Sequence, residues 1–318
     1  MAISFLQRHE ISAAQWNHFI DTSPQRIVYA YTWYLDVVSP QWGALVISHH
    51  DSWQAVMPLP IRHKWMTRVI QQPFFCQLLG IFTHPNHSTE EFTSLFLQQL
   101  PAYFGYISIY TGRLGPNFIS PSSYDIRAHS NYLLSLHAPY ELIRKGYSRD
   151  RRINLARAQK NEWQLQESLD IVPLLSLFKE NHASNIEGGV AESAYELLKN
   201  VFSVLLEKNA ARLLYATKNN QIEAGALFTI SENRIIYLFN AASPLGRKGN
   251  ARTWLIDYVI QQYANRPIVF DFESPEIPSI EAFYKSFGTY PEIYHSLRLN
   301  QLPFPLRQIQ QYRLKTKK

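Results

Sequence analysis

A chain of 318 residues that is 46% hydrophobic, 14% aromatic and only 18% charged has apolar side chains for two ordinary cores, which excludes a disordered protein. Its single cysteine, Cys76, excludes an internal disulfide, and no apolar run reaches the roughly eighteen residues of a membrane-spanning helix. The net charge of +6 is local, because residues 144–160 hold seven Lys or Arg against one Asp, an excess equal to that of the whole chain.

In chain order, "SAAQWNHFI" and "YAYTWYLDVV" predict two helices, and "WGALVISHH" and "WQAVMPLPIRH" predict strands joined as a hairpin at "DS". A helix over "TEEFTSLFLQQL", a strand over "YFGYISIYTG", a polar loop "LGPNFISPSSYD" and a strand "NYLLSLH" follow. After the basic segment comes a strand "WQLQES", then helices over "DIVPLLSLFKENHA" and "AESAYELLKNVFSVLLEKN". Three strands come next, "ARLLYATKN", "QIEAGALFTIS" and "NRIIYLFNAAS". A helix "NARTWLIDYVIQQYA", a strand "RPIVFDFE", a short helix carrying Tyr284 and a last strand "EIYHSLRL" complete the pattern. The second half therefore reads β, α, α, β, β, β, α, β, α, β, and the first half reads as a shorter version of it. Domains over 1–138 and 162–318 are expected, joined by a basic linker helix over 139–161. The opening "MAISFLQRHEIS" has no charged segment leading into an apolar one, so a cytoplasmic protein with no integral membrane association is expected.

Two stretches invite chemistry. In "FNAASPLGRKGNARTW" a strand runs into a glycine-containing turn and then a helix, which leaves N–H groups unpaired where the helix dipole also favours an anion. Arg247, Lys248, Gly249, Asn250 and Ala251 form that candidate phosphate seat, although glycine also serves turning alone. In "FDFESPEIPSIEAFYKSFG" a strand ends in Asp271 and Glu273, two apart and so on one face, and a helix follows in which Ile280, Phe283, Tyr284 and Phe287 share a stripe. Asp271 or Glu273 is a candidate to take a proton from an attacking amine, or else to form a structural ion pair. If 144–160 is one continuous helix, Lys145, Arg149, Arg152 and Lys160 fall within about 80° of arc, a cationic face for an anionic small molecule, a nucleotide-bearing substrate or RNA, or simply for solvent. His84 and His87 lack a third ligand for a zinc site, Cys76 reads as packed, and the basic C-terminal tail reads as frayed or as an amphipathic helix.

The element order and the "GRKGNA" turn resemble the GCN5-related N-acetyltransferase (GNAT) fold. Gly249 and Ala251 match its pyrophosphate loop, and Gly246 stands where the loop pattern has Gln or Arg. "AFYKSFG" is similar to the helix whose tyrosine protonates the departing thiolate, here Tyr284. A closer resemblance is to the Fem-type aminoacyltransferases, tandem proteins whose basic helix pattern is matched by Arg152, Asn154, Leu155, Arg157, Ala158 and Lys160. Tyr284 stands where their helix has a lysine, with Lys285 one position on, and no long helical hairpin is inserted to hold a tRNA. The resemblance implies an α/β (α+β) protein of two tandem GNAT-like acyl-CoA N-acyltransferase domains, each a mixed central sheet flanked by helices. It implies an N-acyltransferase acting on a small molecule, amino sugar, peptide or cell-wall precursor in a cleft between them. Tyr284, Asp271, Glu273 and the backbone N–H near Asn240 would be catalytic, and Lys285, Arg149, Arg152 and Arg157 would bind substrate. Acetyl-CoA or another acyl-CoA is the implied co-substrate, ahead of aminoacyl-tRNA, with no covalent cofactor and no metal. The other expectation is a non-catalytic relative that binds an anion in the same basic cleft.

Overall fold

The computed structural model describes the chain except residues 51, 65, 116, 117, 119–121, 275 and 316–318. The expected hairpin position 51, part of the loop expected over 114–125 and Pro275 of the strand-to-helix stretch lie among those. In order the elements are β1 (Ala2–Gln7), α1 (Ala13–Thr22), α2 (Thr32–Val38), β2 (Gly43–His49), β3 (Ser52–Leu59), β4 (Ile61–Lys64), β5 (Thr67–Gln71) and β6 (Phe82–Thr83). They continue with α3 (Thr89–Tyr103), β7 (Tyr106–Thr111), β8 (Asp125–Ser135), α4 (Tyr140–Lys145), α5 (Arg149–Gln159), β9 (Gln164–Ser168), α6 (Val172–Asn181) and α7 (Glu192–Glu207). Last come β10 (Ala211–Lys218), β11 (Gln221–Ile230), β12 (Arg234–Ala242), α8 (Pro244–Lys248), α9 (Ala251–Tyr263), β13 (Val269–Asp271), α10 (Pro278–Lys285), β14 (Tyr290–Asn300) and α11 (Leu306–Lys315).

Two compact units result, one of residues 1–129 with 293–318 and one of residues 130–292. The basic segment, expected as a linker, packs inside the second unit. It is also not one helix: α4 ends at Lys145, Tyr147 is buried in the turn, and the Ser148 hydroxyl accepts from the Arg151 N–H to start α5 afresh. The single cationic face expected of a continuous helix is therefore broken at residues 146–148.

In the first unit, β1, β2, β3 and β6 form an antiparallel sheet, with β2 paired to β3 from Gly43↔Leu59 to His49↔Ser52 as the hairpin pattern predicts. The expected strand over 53–63 is instead two, because Pro60 has no N–H to donate and β4 pairs with β5 rather than with β2. β5 runs parallel to β7, and β7 pairs antiparallel with the 295–300 stretch of β14. The core gathers Met57, Phe92, Phe96, Phe104, Leu297 and Leu299. Helix α3 presents Phe92, Phe96 and Leu100 to it at helical spacing, and a reciprocal Ser88–Glu91 box starts that helix.

The second unit has the sheet order β9, β10, β11, β12, β13, β8, antiparallel except where β12 and β13 run parallel. Its core holds Phe228, Leu255, Phe270, Phe272, Phe287 and their neighbours. The outer neighbour of β13 is β8, through Val269↔Ser135 to Asp271↔Leu133, and not the strand that follows α10 in sequence. The expected place of "EIYHSLRL" in the second half is corrected accordingly: residues 295–300 pair with β7 of the first unit.

Candidate active site

Strand β13 pairs with β12 at three positions, Arg234↔Val269 to Ile236↔Asp271, and then stops while β12 continues to Ala242. Between Tyr237 and Phe239 the β12–β11 register slips, so that Leu238 is an extra residue: Phe228 faces Tyr237 and Leu227 faces Phe239. Past the end of β13, the outer edge of β12 has no strand partner among the described residues. Backbone groups on such an edge need a partner, and an extended ligand arm supplies one.

Polar side chains converge beside that edge. Arg252, the second residue of α9, donates to Asn240 Oδ1 at 3.0 Å and lies 6.0 Å from the Phe283 ring. Tyr237 is 3% exposed and its hydroxyl has no hydrogen-bond partner among the described residues. Tyr284 stands edge-on to the Tyr237 ring at 6.3 Å and leans on Phe272 at 4.8 Å. Burial pushes the hydroxyls of Tyr237 and Tyr284 well above the usual phenol range, and the Arg252 charge opposes both shifts. The Glu273 carboxylate pushes Tyr284 further up. Burial holds His182 below its ordinary value, assisted by Arg252 and Arg247, so at neutral pH its imidazole is uncharged where it meets the Ala242 backbone.

The expected catalytic residues separate into two groups. Tyr284 and Asn240 belong to this cluster. Asp271 is 2% exposed and its carboxylate is taken up by structure: it accepts from Asn131 at 2.7 Å, from Arg234 at 2.8 Å and from the Glu273 N–H at 2.8 Å. Glu273 does not share its face, since β13 ends at Asp271 and Glu273 turns into the left-handed region at φ 48°. That conformation costs on the order of 1 kcal/mol and swings the Glu273 side chain out of the strand alternation, into electrostatic reach of Tyr284.

The expected substrate-binding cations mostly sit elsewhere. Arg152 donates to the carbonyls of Lys145 and Tyr147, closing the end of α4. Lys285 bonds to Glu281 at 3.3 Å and lies 4.8 Å from the Tyr132 ring, on the other side of α10 from Tyr284. Arg149 and Arg157 are exposed, with no side-chain partner among the described residues. The cation that enters the core is Arg151, 5% exposed, whose guanidinium bonds to Ser286 and Thr253 and lies 4.1 Å from the Phe283 ring. Burial lowers its pKa to about 10.

The "GRKGNA" turn folds as two pieces rather than one open loop. Residues 244–248 form α8, capped by the Ser243 hydroxyl, and Asn250 turns left-handed at φ 56° to start α9. The N–H groups of Arg247, Gly249 and Asn250 are spent on the carbonyls of Ser243, Leu245 and Arg247. Those of Ala251, Arg252 and Thr253 have no protein acceptor among the described residues, so the first turn of α9 keeps unpaired donors, with Arg247 and Lys248 exposed nearby. Gly246 has a packing reason to be glycine, because a Cβ there would lie 2.0 Å from the Glu223 carbonyl oxygen on β11.

Sequence reading misses Tyr237, Arg252 and His182. Arg252 carried a signal, since a cation in the first turn of a helix opposes the dipole by about 0.3–1 kcal/mol and so asks for an anion or an acceptor nearby. Nothing in a single sequence marks Tyr237 as an orphaned hydroxyl among nineteen tyrosines.

Comparison with known proteins bears on the fold. Residues 144–285, all within the second unit, match the acetyltransferase (GNAT) domain family. The fold is similar to that of FemX over 97% of this chain and 99% of that one, at a TM-score of 0.65 and 13% identity. It is similar to a tandem GNAT protein from the clavulanic acid biosynthesis pathway over 95% and 99%, at 0.54 and 12%, and to L-PGS from Bacillus licheniformis over 95% and 96%, at 0.51 and 11%. No curated protein matches the chain. The chain is a tandem GNAT-fold protein with a GNAT-domain match in its second unit, and it resembles the Fem-type aminoacyltransferases. Among the described residues no helix is long and apolar enough to cross a membrane, and no group of three His, Cys, Asp or Glu is placed to hold a metal ion.

Proposed function

We propose that the second unit transfers an acyl or aminoacyl group from a thioester or ester donor to an amine, at the place where β12 and β13 part. The observation that carries this reading is the buried, partnerless Tyr237 hydroxyl beside Arg252 and Tyr284. A polar group buried without a partner costs about 1–3 kcal/mol, and a ligand carbonyl or its oxyanion would repay it. The donor arm lies along the exposed edge of β12, and an anionic group on it sits at the first turn of α9. Acyl-CoA fits this arrangement as co-substrate, with Arg247, Lys248 and the N–H groups of 251–253 to hold one phosphate and Gly249 and Asn250 shaping the turn.

The amine nitrogen attacks the acyl carbon, and the carbonyl π electrons move to oxygen, where the Tyr237 hydroxyl and the backbone N–H near Asn240 hold the charge. Collapse re-forms the carbonyl and breaks the bond to the leaving thiolate or alkoxide, which takes the Tyr284 proton. The proton lost by the amine passes to Glu273 and returns to Tyr284. Asp271 fixes this turn by its bond to the Glu273 N–H rather than taking a proton. Arg149 and Arg157 serve an anionic acceptor or partner, Arg152 and Lys285 act through the elements they fasten, and the reaction belongs in the cytoplasm. Cell-wall precursors are one acceptor class to assay, alongside amino sugars and peptides. The amides spent inside α8 favour a second reading, an anion-binding protein without catalysis.

Incubation with acetyl-CoA and a panel of amines, with released thiol measured, tests the first reading. Turnover is expected to fall about 10²-fold in Tyr284→Phe with little change in Tm. Thermal stabilisation by acetyl-CoA without turnover on any amine would leave the binding protein standing, and activity unchanged in Tyr284→Phe would remove this tyrosine from the mechanism.

A further inference from the structure

The first unit holds a cavity of about 730 Å³, within the size range of small-molecule sites, lined by β1, the 36–42 region and the β4–β5 hairpin. Its electrostatics are one-sided. From residue 52 to residue 89 the sequence has no Asp or Glu, while the hairpin contributes His63 and Arg68 to the lining. The one carboxylate in the lining among the described residues, Asp36, is already saturated: Arg8 grips both of its oxygens, at 2.5 and 2.9 Å, and Trp42 Nε1 donates at 2.7 Å. Arg8 and Asp36 therefore cancel.

Arg68 has no carboxylate and no hydrogen-bond acceptor among the described residues; its guanidinium lies 5.7 Å from the Phe5 ring and 5.8 Å from that of Phe104. His63 stands directly across the ladder from Arg68, so their side chains leave the same face with Cβ atoms about 5 Å apart. The Gln41 side-chain oxygen, 2.8 Å from His63 Nδ1, can only accept, which keeps a proton on Nδ1 and leaves the Nε2 lone pair to accept from a ligand O–H. A ligand with an ionised oxygen and an O–H beside it is held by both side chains, the Arg68 guanidinium donating to the first and His63 Nε2 accepting from the second.

We propose that this cavity binds a small phosphorylated molecule, with the phosphate between Arg68 and His63 and the apolar part of the molecule against Phe5 and Ile61. A phosphate monoester matches the site better than a carboxylate, because an ionised oxygen meets the Arg68 guanidinium while a remaining P–OH donates to His63 Nε2, with His9 also in the lining. The inference does not depend on the reaction proposed for the second unit.

Titration calorimetry of the full chain with phenyl phosphate, inorganic phosphate and benzoate tests it. Phenyl phosphate is expected to bind saturably and about tenfold more tightly than either of the others, which lack the apolar body or the P–OH. Arg68→Ser is expected to weaken it about tenfold and Arg252→Ser to leave it unchanged. Both positions lie outside the cores, so unchanged melting curves establish that the variants are folded. The proposal is overturned by the absence of saturable binding up to about 10 mM, by benzoate binding more tightly, by Arg68→Ser without effect, or by loss in Arg252→Ser, which would place the anion in the second unit.

Discussion

Tyr237 and Asp257 are two buried polar side chains of the second unit with opposite histories. Tyr237 keeps a hydroxyl that no group among the described residues satisfies, whereas the Asp257 carboxylate accepts from Tyr140 at 2.8 Å and from Tyr147 at 3.0 Å. Tyr237→Phe is expected to raise stability by about 1 kcal/mol, because it removes an unpaired buried group, while lowering acyl transfer. Urea unfolding beside a thiol-release assay checks both halves, and a variant that is less stable would mean the hydroxyl has a partner. For Asp257, burial outweighs the two tyrosine bonds and raises its pKa above 3.8. The folded carboxyl holds its proton more tightly than the unfolded one, so its contribution to stability is present below the unfolded value and lost as pH rises through the folded value. Asn at 257 does not ionise. The stability of the parent relative to Asp257→Asn is therefore expected to grow as pH is lowered from about 7 to about 4, as urea midpoints along that series would show.

Among the elements, α8 and α10 place the site and both depend on a glycine that touches backbone. At Gly246 the obstacle is the Glu223 peptide, which cannot rotate away, so Gly246→Ala is expected to lift α8 from β11 at a cost of about 1–3 kcal/mol and to weaken anion binding at α9. Gly288 stops α10 at φ 78° and brings its α-carbon against Gly146, where a Cβ would sit 2.6 Å from the carbonyl oxygen. Gly288→Ala therefore meets a left-handed penalty of about 1–2 kcal/mol as well as a clash, and the loss should exceed that of Gly246→Ala in a thermal melt. Ser286 continues this fastening: its carbonyl accepts from the Ser148 N–H and its hydroxyl from Arg151, so the start of α5 and the end of α10 move together. Much of this was legible. The stripe Ile280, Phe283, Tyr284, Phe287 does pack into the core, and Gly288 was readable as a helix stop. The break at Gly146–Ser148 was not, because seven basic residues read as one run hide the serine that caps the second helix. Nor was the use of Asp271, since a sequence displays a carboxylate pair but not the Arg234 and Asn131 that occupy one member of it.

At the scale of the whole chain the least legible feature is which strand completes which sheet. Alternation marks 131–137 and 292–299 as strands but does not name their neighbours, since any half-buried strand of suitable length satisfies the same pattern. Here the chain exchanges them: residues 133–135 complete the sheet of the second unit, and residues 295–300 complete that of the first beside β7. The exchange makes the two units unequal when cut apart. A fragment of residues 130–292 keeps all of its sheet order from β9 to β8 and every residue of its core, from Tyr132 to Phe287. It is expected to melt in a single cooperative transition. A fragment of residues 1–129 loses Leu297 and Leu299 from its core and bares the edge of β7, whose unpaired N–H and C=O groups invite aggregation. It is expected to remain unfolded or to associate, and to recover a cooperative melt only when residues 293–318 are restored to it. Circular dichroism melts of the three polypeptides decide the matter. Cooperative, monomeric folding of 1–129 by itself would mean that the last strand decorates the first unit rather than completing it.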